Sequence, residues 1–530
     1  MNESSRRLLD FLSRPQSYPH GPAQVSMVQT HASWVFIAAP LVCKIKKPVN
    51  LGFLDFSTLE LRHKDCEREV TLNRLLAEDV YLGVESIRQR GGELHFGGEG
   101  EVVEWCVMMR ELDPRGLLSH RLKEKRKVDT ADIDRITEKL LRYHAAQAPL
   151  KQEEAATAIE RLKLATDGNL DIARPWIGKS LSQPCYETMV LYTDEFFSHQ
   201  RARLQSRIDG GWIRDCHGDL HAEHIHLSPD AVRIYDCIEF NTRFRHIDVA
   251  NDIAFLAMDL EFNGRPDLAR HFVNRFAASM HDDGMMPLLD FYKCYRACVR
   301  GKVESLHSVA DTADEAERTE SLALARRYFR LALRYAIAGS EPCIFVFMGR
   351  VASGKSSLAE AFGQELGWSV VSSDVIRKQI AQVPPAFRGA AEALAQLYSP
   401  SMTDRTYGAL LDAASRSIHA DHGVILDATF SRAVRRRTLG DLAQRMGFRV
   451  IWIEVVVSDA VATQRLRERD FQTDVISDAR RENAAELNSA YEAPEEITDR
   501  ITLRSEGEKA SVLRKLLREL AMRRESLKSR

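Results

Sequence analysis

The sequence predicts two domains of different architecture, an α+β domain followed by an α/β domain with a parallel sheet. The chain has 530 residues, which is enough for more than one hydrophobic core. Alternating β-type segments are concentrated between residues 27 and 110, whereas strands and helices alternate regularly after residue 343. Between these regions, Ala338-Gly339-Ser340-Glu341-Pro342 breaks the helical pattern and marks a boundary. The predicted division is an extension at 1–24, a first domain at 25–337, a linker at 338–342 and a second domain at 343–530.

In the first domain, strong β-type patterns flank one helical pattern. The helix begins at Ser57 or Thr58, either of which can cap it. Ala39-Pro40 provides a turn between two of the strands. We expect strands at 33–37, 41–46 and 102–109 and a helix at 57–77. The chain is then mostly helical from 130 to 207, forms short strands between 214 and 240, and is helical again from 247 to 337.

In the second domain, four apolar segments alternate with helix-forming stretches. We expect strands near 343–348, 369–373, 423–427 and 450–457. This rhythm is typical of a parallel sheet covered by helices on both faces, a three-layer α/β arrangement.

The composition indicates a cytoplasmic globular protein. Hydrophobic residues make up 44% and charged residues 28% of the chain, and the net charge is −2, which gives no general attraction to nucleic acid or to a membrane surface. Apolar runs of about 18 residues, which would predict a membrane span, are absent from the sequence. The nine cysteines are dispersed without a CxxC pair, which favours a reducing compartment. The oligomeric state is open, and a homo-oligomer is compatible with these data.

The most specific motif is a phosphate-binding loop at the start of the second domain. It follows the strand at 343–348 and precedes a helix, which is the context that such a loop requires. Its backbone amides can bind the β-phosphate, while Lys355 reaches the β/γ oxygens and Ser356 binds Mg²⁺. The sequence therefore predicts binding of ATP with Mg²⁺. The loop comprises Gly349, Arg350, Val351, Ala352, Ser353, Gly354, Lys355 and Ser356.

Three further elements of the second domain are candidates for phosphoryl transfer. Asp374 follows a strand end and can accept a proton from a hydroxyl, and Arg377, one turn later, can hold the acceptor. A capping aspartate with a surface arginine is the alternative interpretation of this pair. Asp427 ends the strand at 423–427 and is a candidate Mg²⁺ carboxylate. Arg465 and Arg469 share a helix face and form either a lid over the phosphates or a plain surface helix.

A second set of candidates lies in the first domain. Asp219 lies in the segment His217-Gly218-Asp219-Leu220-His221 and can orient and deprotonate a hydroxyl. Asp236 leaves an apolar strand 17 residues later and can hold Mg²⁺ on the phosphates. Lys44 is placed on a strand to bind the α/β-phosphates, and Glu69 on the following helix is the preferred partner of that lysine, with Glu67 as the alternative.

These residues resemble the aminoglycoside phosphotransferase and choline kinase family over roughly residues 25–330. The resemblance implies a bilobal protein-kinase-like fold that phosphorylates small-molecule hydroxyls. It implies that Asp219 is the catalytic base, that Asp236 is a metal ligand and that Asp248 braces the loop. The strand Val107-Met108-Met109-Arg110 corresponds to the hinge, so Met109 is a candidate for contacting the adenine.

The sequence departs from that family at two points. His224 stands where the family has an asparagine that binds the second metal ion, so His224 takes the place of a metal ligand. Mg²⁺ prefers oxygen ligands to imidazole. A glycine-rich loop is also absent from the sequence before Lys44. A rival interpretation is a zinc site formed by histidines of this segment, since histidine is a common zinc ligand. The four histidines concerned are His217, His221, His224 and His226.

The second domain resembles small phosphoryl-transfer kinases over about residues 342–500, including the polynucleotide 5′-hydroxyl kinase, gluconate kinase and zeta-toxin groups. The whole chain resembles a bacterial fusion of an aminoglycoside-phosphotransferase-like domain with a P-loop kinase domain. We expect an ATP-dependent phosphotransferase with two ATP-binding domains and a small-molecule hydroxyl acceptor. A 5′-hydroxyl nucleic acid is a less favoured acceptor. The alternative is an ATP-driven switch whose first domain is a ligand-sensing pseudokinase.

Overall fold

The structure, a computed structural model, contains two compact units, each built from two segments of the chain. The first unit comprises Met1–Leu164 and Ala202–Lys293, and the second comprises Ala165–Arg201 and Cys294–Arg530. The predicted linker at 338–342 lies inside the second unit, and the four-part domain division stays a prediction. The structure describes residues 3–30, 32–52, 54–124, 128–310, 313–384, 387, 395–421, 423–470 and 488–528.

An antiparallel sheet forms the N-terminal part of the first unit. Its described strands lie in the order β1-β2-β3-β6-β4-β5. Two smaller antiparallel pairs, β7 with β10 and β8 with β9, follow later in the chain. The strands are β1 (Ser26–Gln29), β2 (Ser33–Ala38), β3 (Leu41–Lys46), β4 (Tyr81–Arg90), β5 (Glu93–Phe96), β6 (Glu101–Arg110), β7 (Ile213–Asp215), β8 (Ile225–Leu227), β9 (Val232–Ile234) and β10 (His246–Asp248).

The two faces of this sheet are buried differently, because successive side chains of a strand point to opposite faces. Phe36, Cys43 and Ile45 form a core with the helix α1, which contributes Leu12. Val107 belongs to a second core with Val70 of the helix α2. The two helices are α1 (Glu3–Leu12) and α2 (Leu59–Ala77).

Helix α2 matches the helix predicted at 57–77. Thr58 caps it, and its hydroxyl accepts a hydrogen bond from the Leu61 amide at 3.2 Å, which satisfies one of the free amides of the first turn. The other described α-helices before residue 338 are α3 (Leu118–Lys123), α4 (Thr130–Ala146), α5 (Gln152–Ala155), α6 (Ala158–Ala173), α7 (Gln183–His199), α8 (Arg201–Asp209), α9 (Val249–Phe262), α10 (Pro266–Met280), α11 (Leu289–His307) and α12 (Glu315–Ile337).

A parallel sheet organises the second unit. Its described strands lie in the order β12-β13-β11-β14-β15. They are β11 (Cys343–Met348), β12 (Val370–Ser372), β13 (Gly423–Asp427), β14 (Arg449–Val456) and β15 (Ile501–Arg504). The described helices after residue 338 are α13 (Lys355–Leu366), α14 (Ser373–Ile380), α15 (Pro400–Asp421), α16 (Ala433–Met446), α17 (Asp459–Asp470) and α18 (Lys509–Lys528).

Helices cover both faces of this sheet. Phe345 and Phe347 contact Phe362 of α13, with ring centroids 4.8 and 5.4 Å away. The alternate residues Ile344, Val346 and Met348 belong to the core that α15 and α16 form. Because alternate residues of a strand face opposite sides, α13 lies on one face and α15 and α16 lie on the other. The three-layer α/β prediction is confirmed.

The predicted fold class is confirmed in both parts, and the predicted strands at 41–46, 343–348 and 423–427 have the observed boundaries. The pattern analysis missed β15, which has four residues and lies at the edge of the sheet. Its partner β14 is distant in sequence, so local periodicity gives little signal for it. Within the described residues, every helix is too short or too polar to cross a lipid bilayer.

Candidate active sites

In the first unit, Lys44 joins the two predicted acidic residues Glu69 and Asp236. Strand β3 carries Lys44, and α2 carries Glu69. The Lys44 ammonium donates hydrogen bonds to Glu69 Oε1 at 2.8 Å and to Asp236 Oδ1 at 2.7 Å. Burial acts to lower the pKa of Lys44, but the carboxylates of Asp236 and Glu69 outweigh it and raise that pKa. The lysine therefore stays charged, as a phosphate ligand must. The alternative partner Glu67 lies instead 3.5 Å from His63 on the same helix.

A second buried lysine, Lys46, extends this ion-pair network. Its ammonium lies 2.6 Å from Glu69 Oε2 and 2.8 Å from Asp65, and it also contacts Glu239. Glu69 is fully buried and bridges both lysines. The sequence favoured Lys44 over Lys46, which lies on the same strand face, and it did not indicate Asp65 or Glu239. The position of Lys46 on the same strand face as Lys44 was a usable signal for Lys46. Its acidic partners Asp65 and Glu239 come from separate segments of the chain.

Asp236 is held in an unusual backbone conformation next to the lysine. Its φ is 58°, in the left-handed region that residues other than glycine seldom adopt. Its amide donates a hydrogen bond to the Tyr81 hydroxyl at 3.2 Å. Although desolvation raises the pKa of Asp236, the Lys44 ammonium lowers it below its usual value. The result is an ionised carboxylate just after a short strand, which suits a metal site.

The loop that contains Asp219 is braced by Asp252. The Asp252 carboxylate accepts hydrogen bonds from the amides of His217 at 3.1 Å and Gly218 at 2.9 Å. The predicted brace, Asp248, was the wrong choice. It caps α9 by accepting from the Ala250 amide and binds the Arg207 guanidinium at 2.7 Å. Asp248 is the N-cap residue and has an extended backbone, whereas Asp252 lies in the first turn of α9, so the two side chains meet different neighbours.

His224 lies between the two candidate catalytic aspartates of the first unit. Its Nδ1 lies 3.5 Å from Asp219 Oδ2, and its Nε2 lies 3.5 Å from Asp236 Oδ2. Burial and the neighbouring His221 lower the pKa of His224, which keeps the ring neutral. A neutral imidazole at this point does not fit Mg²⁺, which prefers oxygen ligands. Asp236 fits a magnesium ion, but His224 does not.

The predicted hinge residue Met109 lies on β6, between β3 and β4. It is paired with Val42 on one side and with Tyr81 on the other. Val42 and Lys44 thus lie on the strand next to Met109. The contact of Met109 with a nucleotide stays a prediction.

In the second unit, the phosphate-binding loop has an unusual backbone course. Gly349 has a φ of 140°, Ala352 of 61° and Gly354 of 89°. The amides of Gly349, Val351 and Ser353 donate to the Thr429 carbonyl, to Asn488 Oδ1 and to the Arg350 carbonyl. Gly354 is the N-cap of α13, so the first amides of that helix also face the loop. The amides at the start of α13 are the groups that this arrangement offers to an anion, and the anion cradle that the motif predicts stays a prediction.

Lys355 and Ser356, in the first turn of α13, lie near Asp427 at the end of β13. Asp427 is buried, and its Oδ1 has no hydrogen-bond partner among the described residues. Burial raises the pKa of Asp427, whereas the Lys355 ammonium and the Ser356 hydroxyl act to lower it. A buried carboxylate oxygen beside a hydroxyl is an oxygen ligand set, which fits Mg²⁺.

Asp374 and Arg377 lie on α14 with different surroundings. Asp374 is in the first turn, half-buried, and its carboxylate acts to raise the pKa of Asp427, so the two charges are close. Arg377 is buried. Its guanidinium donates hydrogen bonds to the Leu397 carbonyl at 3.0 Å and to the Thr403 hydroxyl at 3.1 Å. The structure thus brings Asp374 near Asp427 and places Arg377 against protein groups.

Arg465 of α17 binds the phosphate loop itself. Its guanidinium donates to the carbonyl of Ser353 at 3.0 Å and to the Ser505 hydroxyl at 3.0 Å. Ser505 also donates to the Ser353 carbonyl. Neither of the predicted alternatives, a lid over the phosphates or a surface helix, includes this contact with the loop backbone. The side chain of the other predicted lid residue, Arg469, lies outside the described residues.

The phosphate-loop domain predicted from the sequence is matched by a family model. The model described as AAA domain covers residues 344–494, which include the loop from Gly349 to Ser356. Solved structures with similar folds include a gluconokinase from Sinorhizobium meliloti, with 19% identity, a TM-score of 0.26 and coverage of 35% of this chain and 95% of that one. Another is choline kinase from Cryptosporidium parvum, with 9% identity, a TM-score of 0.38 and coverage of 62% and 94%. At these TM-scores, neither likeness bears on the chemistry of this chain.

Two mycobacterial proteins share most of their length with this chain. One is uncharacterized protein Rv2004c of Mycobacterium tuberculosis, and the other is uncharacterized protein Mb2027c of Mycobacterium bovis. Each is 31% identical over 423 residues, which is 79% of this chain and 81% of the relative. The match therefore spans much more than the phosphate-loop region. The chain belongs to the family of these mycobacterial proteins.

Proposed function

We propose that the protein is an ATP-dependent phosphotransferase that transfers the γ-phosphate to a hydroxyl of a small molecule, with an ATP site in each unit. The observation that carries the proposal is the grouping of Lys355, Ser356, Asp374 and Asp427 at one edge of the parallel sheet. Ligands bind at that edge in open α/β sheets, since the carboxyl ends of the strands and the amino ends of the following helices meet there.

The division of roles in the second unit follows from these positions. The loop amides and the Lys355 ammonium bind the β- and γ-phosphate oxygens and stabilise the negative charge that develops on the β–γ bridging oxygen. Asp374 accepts the proton of the acceptor hydroxyl while that oxygen bonds to the γ-phosphorus. The bond from the γ-phosphorus to the bridging oxygen breaks, and ADP leaves. Mg²⁺, when bound by Ser356 and Asp427, neutralises phosphate charge.

Arg465 is best assigned to positioning of the loop. Its guanidinium contacts the carbonyls of Ala352 and Ser353 in the loop. Arg377 is held by Leu397 and Thr403, so acceptor binding by Arg377 depends on a rearrangement of its guanidinium.

The first unit offers a parallel set of groups in Lys44, Glu69, Asp219 and Asp236. Lys44 would bind the α/β-phosphates of a second ATP. The position of His224 between Asp219 and Asp236 favours a second candidate function, in which this unit is a ligand-sensing pseudokinase and the second unit is an ATP-driven switch. A reducing cytoplasm remains the proposed location, and the nine cysteines, all of them described residues, are buried and form no disulfide.

The test is acceptor labelling with γ-labelled ATP and a panel of sugars, amino alcohols, aminoglycosides and 5′-hydroxyl oligonucleotides. We expect labelling of a small molecule by the parent protein. Asp374→Ala should reduce the rate by about 100-fold or more, as expected for loss of a general base, while calorimetry still detects ATP binding. Asp441→Ala, an exposed change on α16, is the matched control. ATP hydrolysis without any labelled acceptor would support the switch instead.

A further inference from the structure

We propose that the loop at Asp219 in the first unit binds a divalent transition metal of the zinc class, with Asp219, His221 and His224 as ligands. One ligand atom from each of these residues lies within 4.8 Å of the other two. The proposed metal site lies in a different unit from the phosphate loop. It does not depend on phosphoryl transfer at that loop. It follows from the failure of His224 to fit a magnesium site.

The two distances from Asp219 to the histidines match a tetrahedral metal site. His221 Nε2 lies 3.4 Å from Asp219 Oδ2, and His224 Nδ1 lies 3.5 Å from the same oxygen. These distances are too long for good hydrogen bonds. Two ligands about 2.1 Å from a zinc ion lie roughly 3.4 Å apart at the tetrahedral angle. A zinc-sized ion can therefore bind all three groups with small side-chain movements.

Each histidine also has a carboxylate facing its other ring nitrogen. Glu223 Oε2 lies 3.7 Å from His221 Nδ1, and Asp236 Oδ2 lies 3.5 Å from His224 Nε2. Metal-binding histidines usually donate their second N–H to such a carboxylate, which fixes the tautomer and strengthens the ligand. His224 Nδ1 also lies 3.0 Å from the Asp219 carbonyl, so metal binding requires the proton on Nδ1 to move to Nε2, which faces Asp236.

The structure separates these two histidines from the other two in the segment. His217 Nε2 bonds to the Tyr235 carbonyl at 3.0 Å, and His226 Nε2 bonds to the Asp113 carbonyl at 3.1 Å. The four-histidine zinc site is therefore not formed by the described residues. The site has three protein ligands and leaves a fourth position for water or a ligand, which is the pattern of reactive rather than purely structural zinc sites.

Metal binding and base catalysis compete for the Asp219 carboxylate. A carboxylate bound to a transition metal is a weak acceptor for the proton of a substrate hydroxyl. The first unit should therefore lack kinase activity when the metal is bound. Its state should instead depend on the availability of the metal. Mg²⁺ should not replace the ion, because two of the three ligands are imidazoles.

Cobalt titration of the full-length, metal-free protein tests the proposal, because Co²⁺ replaces Zn²⁺ and absorbs visible light. We expect one equivalent with a four-coordinate spectrum, displaced by Zn²⁺ but not by a tenfold excess of Mg²⁺. His221→Gln and His224→Asn should each weaken binding at least 10-fold. His120→Gln, an exposed histidine of the same unit, should not change it. Equal binding in the parent and both variants, or displacement by Mg²⁺, would overturn the proposal.

A second cluster in the same unit must be distinguished from this site. His144, Cys216 and Asp252 are all buried and also have ligand atoms within 4.8 Å of one another. Cobalt bound there would show a near-ultraviolet thiolate band that disappears in Cys216→Ser, a result that would also overturn the proposal. Melting temperatures of the metal-free variants show whether each one is folded. The expected result is a Zn²⁺-induced rise in the parent that is lost in folded His224→Asn.

Discussion

The two candidate sites of this protein are built in different ways. In the second unit, the candidate phosphate site is one continuous backbone loop, Gly349 to Ser356, that leads into α13, with Asp427 as a nearby carboxylate. In the first unit, the site is made of side chains from β3, α2 and two later loops, held by buried ion pairs around Glu69. A backbone site depends on a few φ angles, whereas a side-chain site depends on every charge having its partner.

The largest expected effect is a loss of stability when Asp252, which supports the side-chain site, is replaced. Asp252→Ala removes the acceptor of the His217 and Gly218 amides, which are buried. Each amide left without a partner costs about 1–3 kcal/mol, so the free energy of unfolding should fall by roughly 2–6 kcal/mol. Chemical denaturation measures the change. Asp209→Ala, an exposed aspartate of the same unit, serves as control, and equal losses in the two variants would contradict the role of Asp252.

The corresponding change in the backbone site is Gly349→Ala. The added Cβ would collide with the Val455 carbonyl oxygen, and the φ of 140° is strained for any residue with a Cβ. Overpacking and strain together should cost roughly 2–5 kcal/mol, and ATP binding measured by calorimetry should be lost. Gly440→Ala meets nothing within 4 Å and is the matched control. Unchanged ATP affinity in Gly349→Ala would refute the backbone cradle.

A pair of lysine variants sharpens the comparison of the two sites. Calorimetry of the parent should detect two equivalents of ATP. Lys355→Met should weaken one site by 1.5–3 kcal/mol, about 10- to 150-fold, because it removes a charged hydrogen-bond donor. Lys44→Met should remove the other equivalent and leave the first unchanged. If Lys44→Met alters neither the affinity nor the stoichiometry, the first unit does not bind ATP.

The smallest expected effect is a pH dependence confined to the first unit. Burial lowers the pKa of His144 to about 3, so the folded protein keeps this ring neutral, whereas the unfolded chain binds a proton below about 6.5. Stability should therefore fall with decreasing pH, by about 1.4 kcal/mol between pH 7.5 and 5.5. In His144→Gln, this contribution to the pH dependence of the free energy of unfolding should vanish. Denaturation curves at the two pH values measure it. The same change in the free energy of unfolding between the two pH values in parent and variant would contradict the prediction.

Local patterns predicted the second unit well. Strands β11 and β13 and the phosphate loop are continuous segments, and their roles follow from apolar runs and glycine positions. The Lys44–Glu69 pair was also predicted, because a strand lysine and the following helix are close in sequence. The surroundings of Arg377 and Arg465 were not predicted, because their partners are distant from them in sequence. These partners are Leu397, Thr403 and Ser505.

In the first unit, the sequence pattern could not decide between neighbouring residues of the same type. Asp248 and Asp252 both lie near the start of α9, and only their orientation decides which one binds the loop amides. Likewise, four histidines lie within ten residues, and the fold turns two of them to backbone carbonyls and two toward Asp219.

The sequence by itself determined the α/β and α+β character of the two parts, the position of the phosphate loop and most of the charged candidates. Those features depend on residues that are adjacent in the chain, whose conformations their own side chains set. Only the tertiary structure decided that Glu69 bridges two lysines, that Asp252 supports the Asp219 loop and that His224 lies between two aspartates. These contacts join distant segments, and their free energy depends on burial and charge pairing that exist only after the chain has folded.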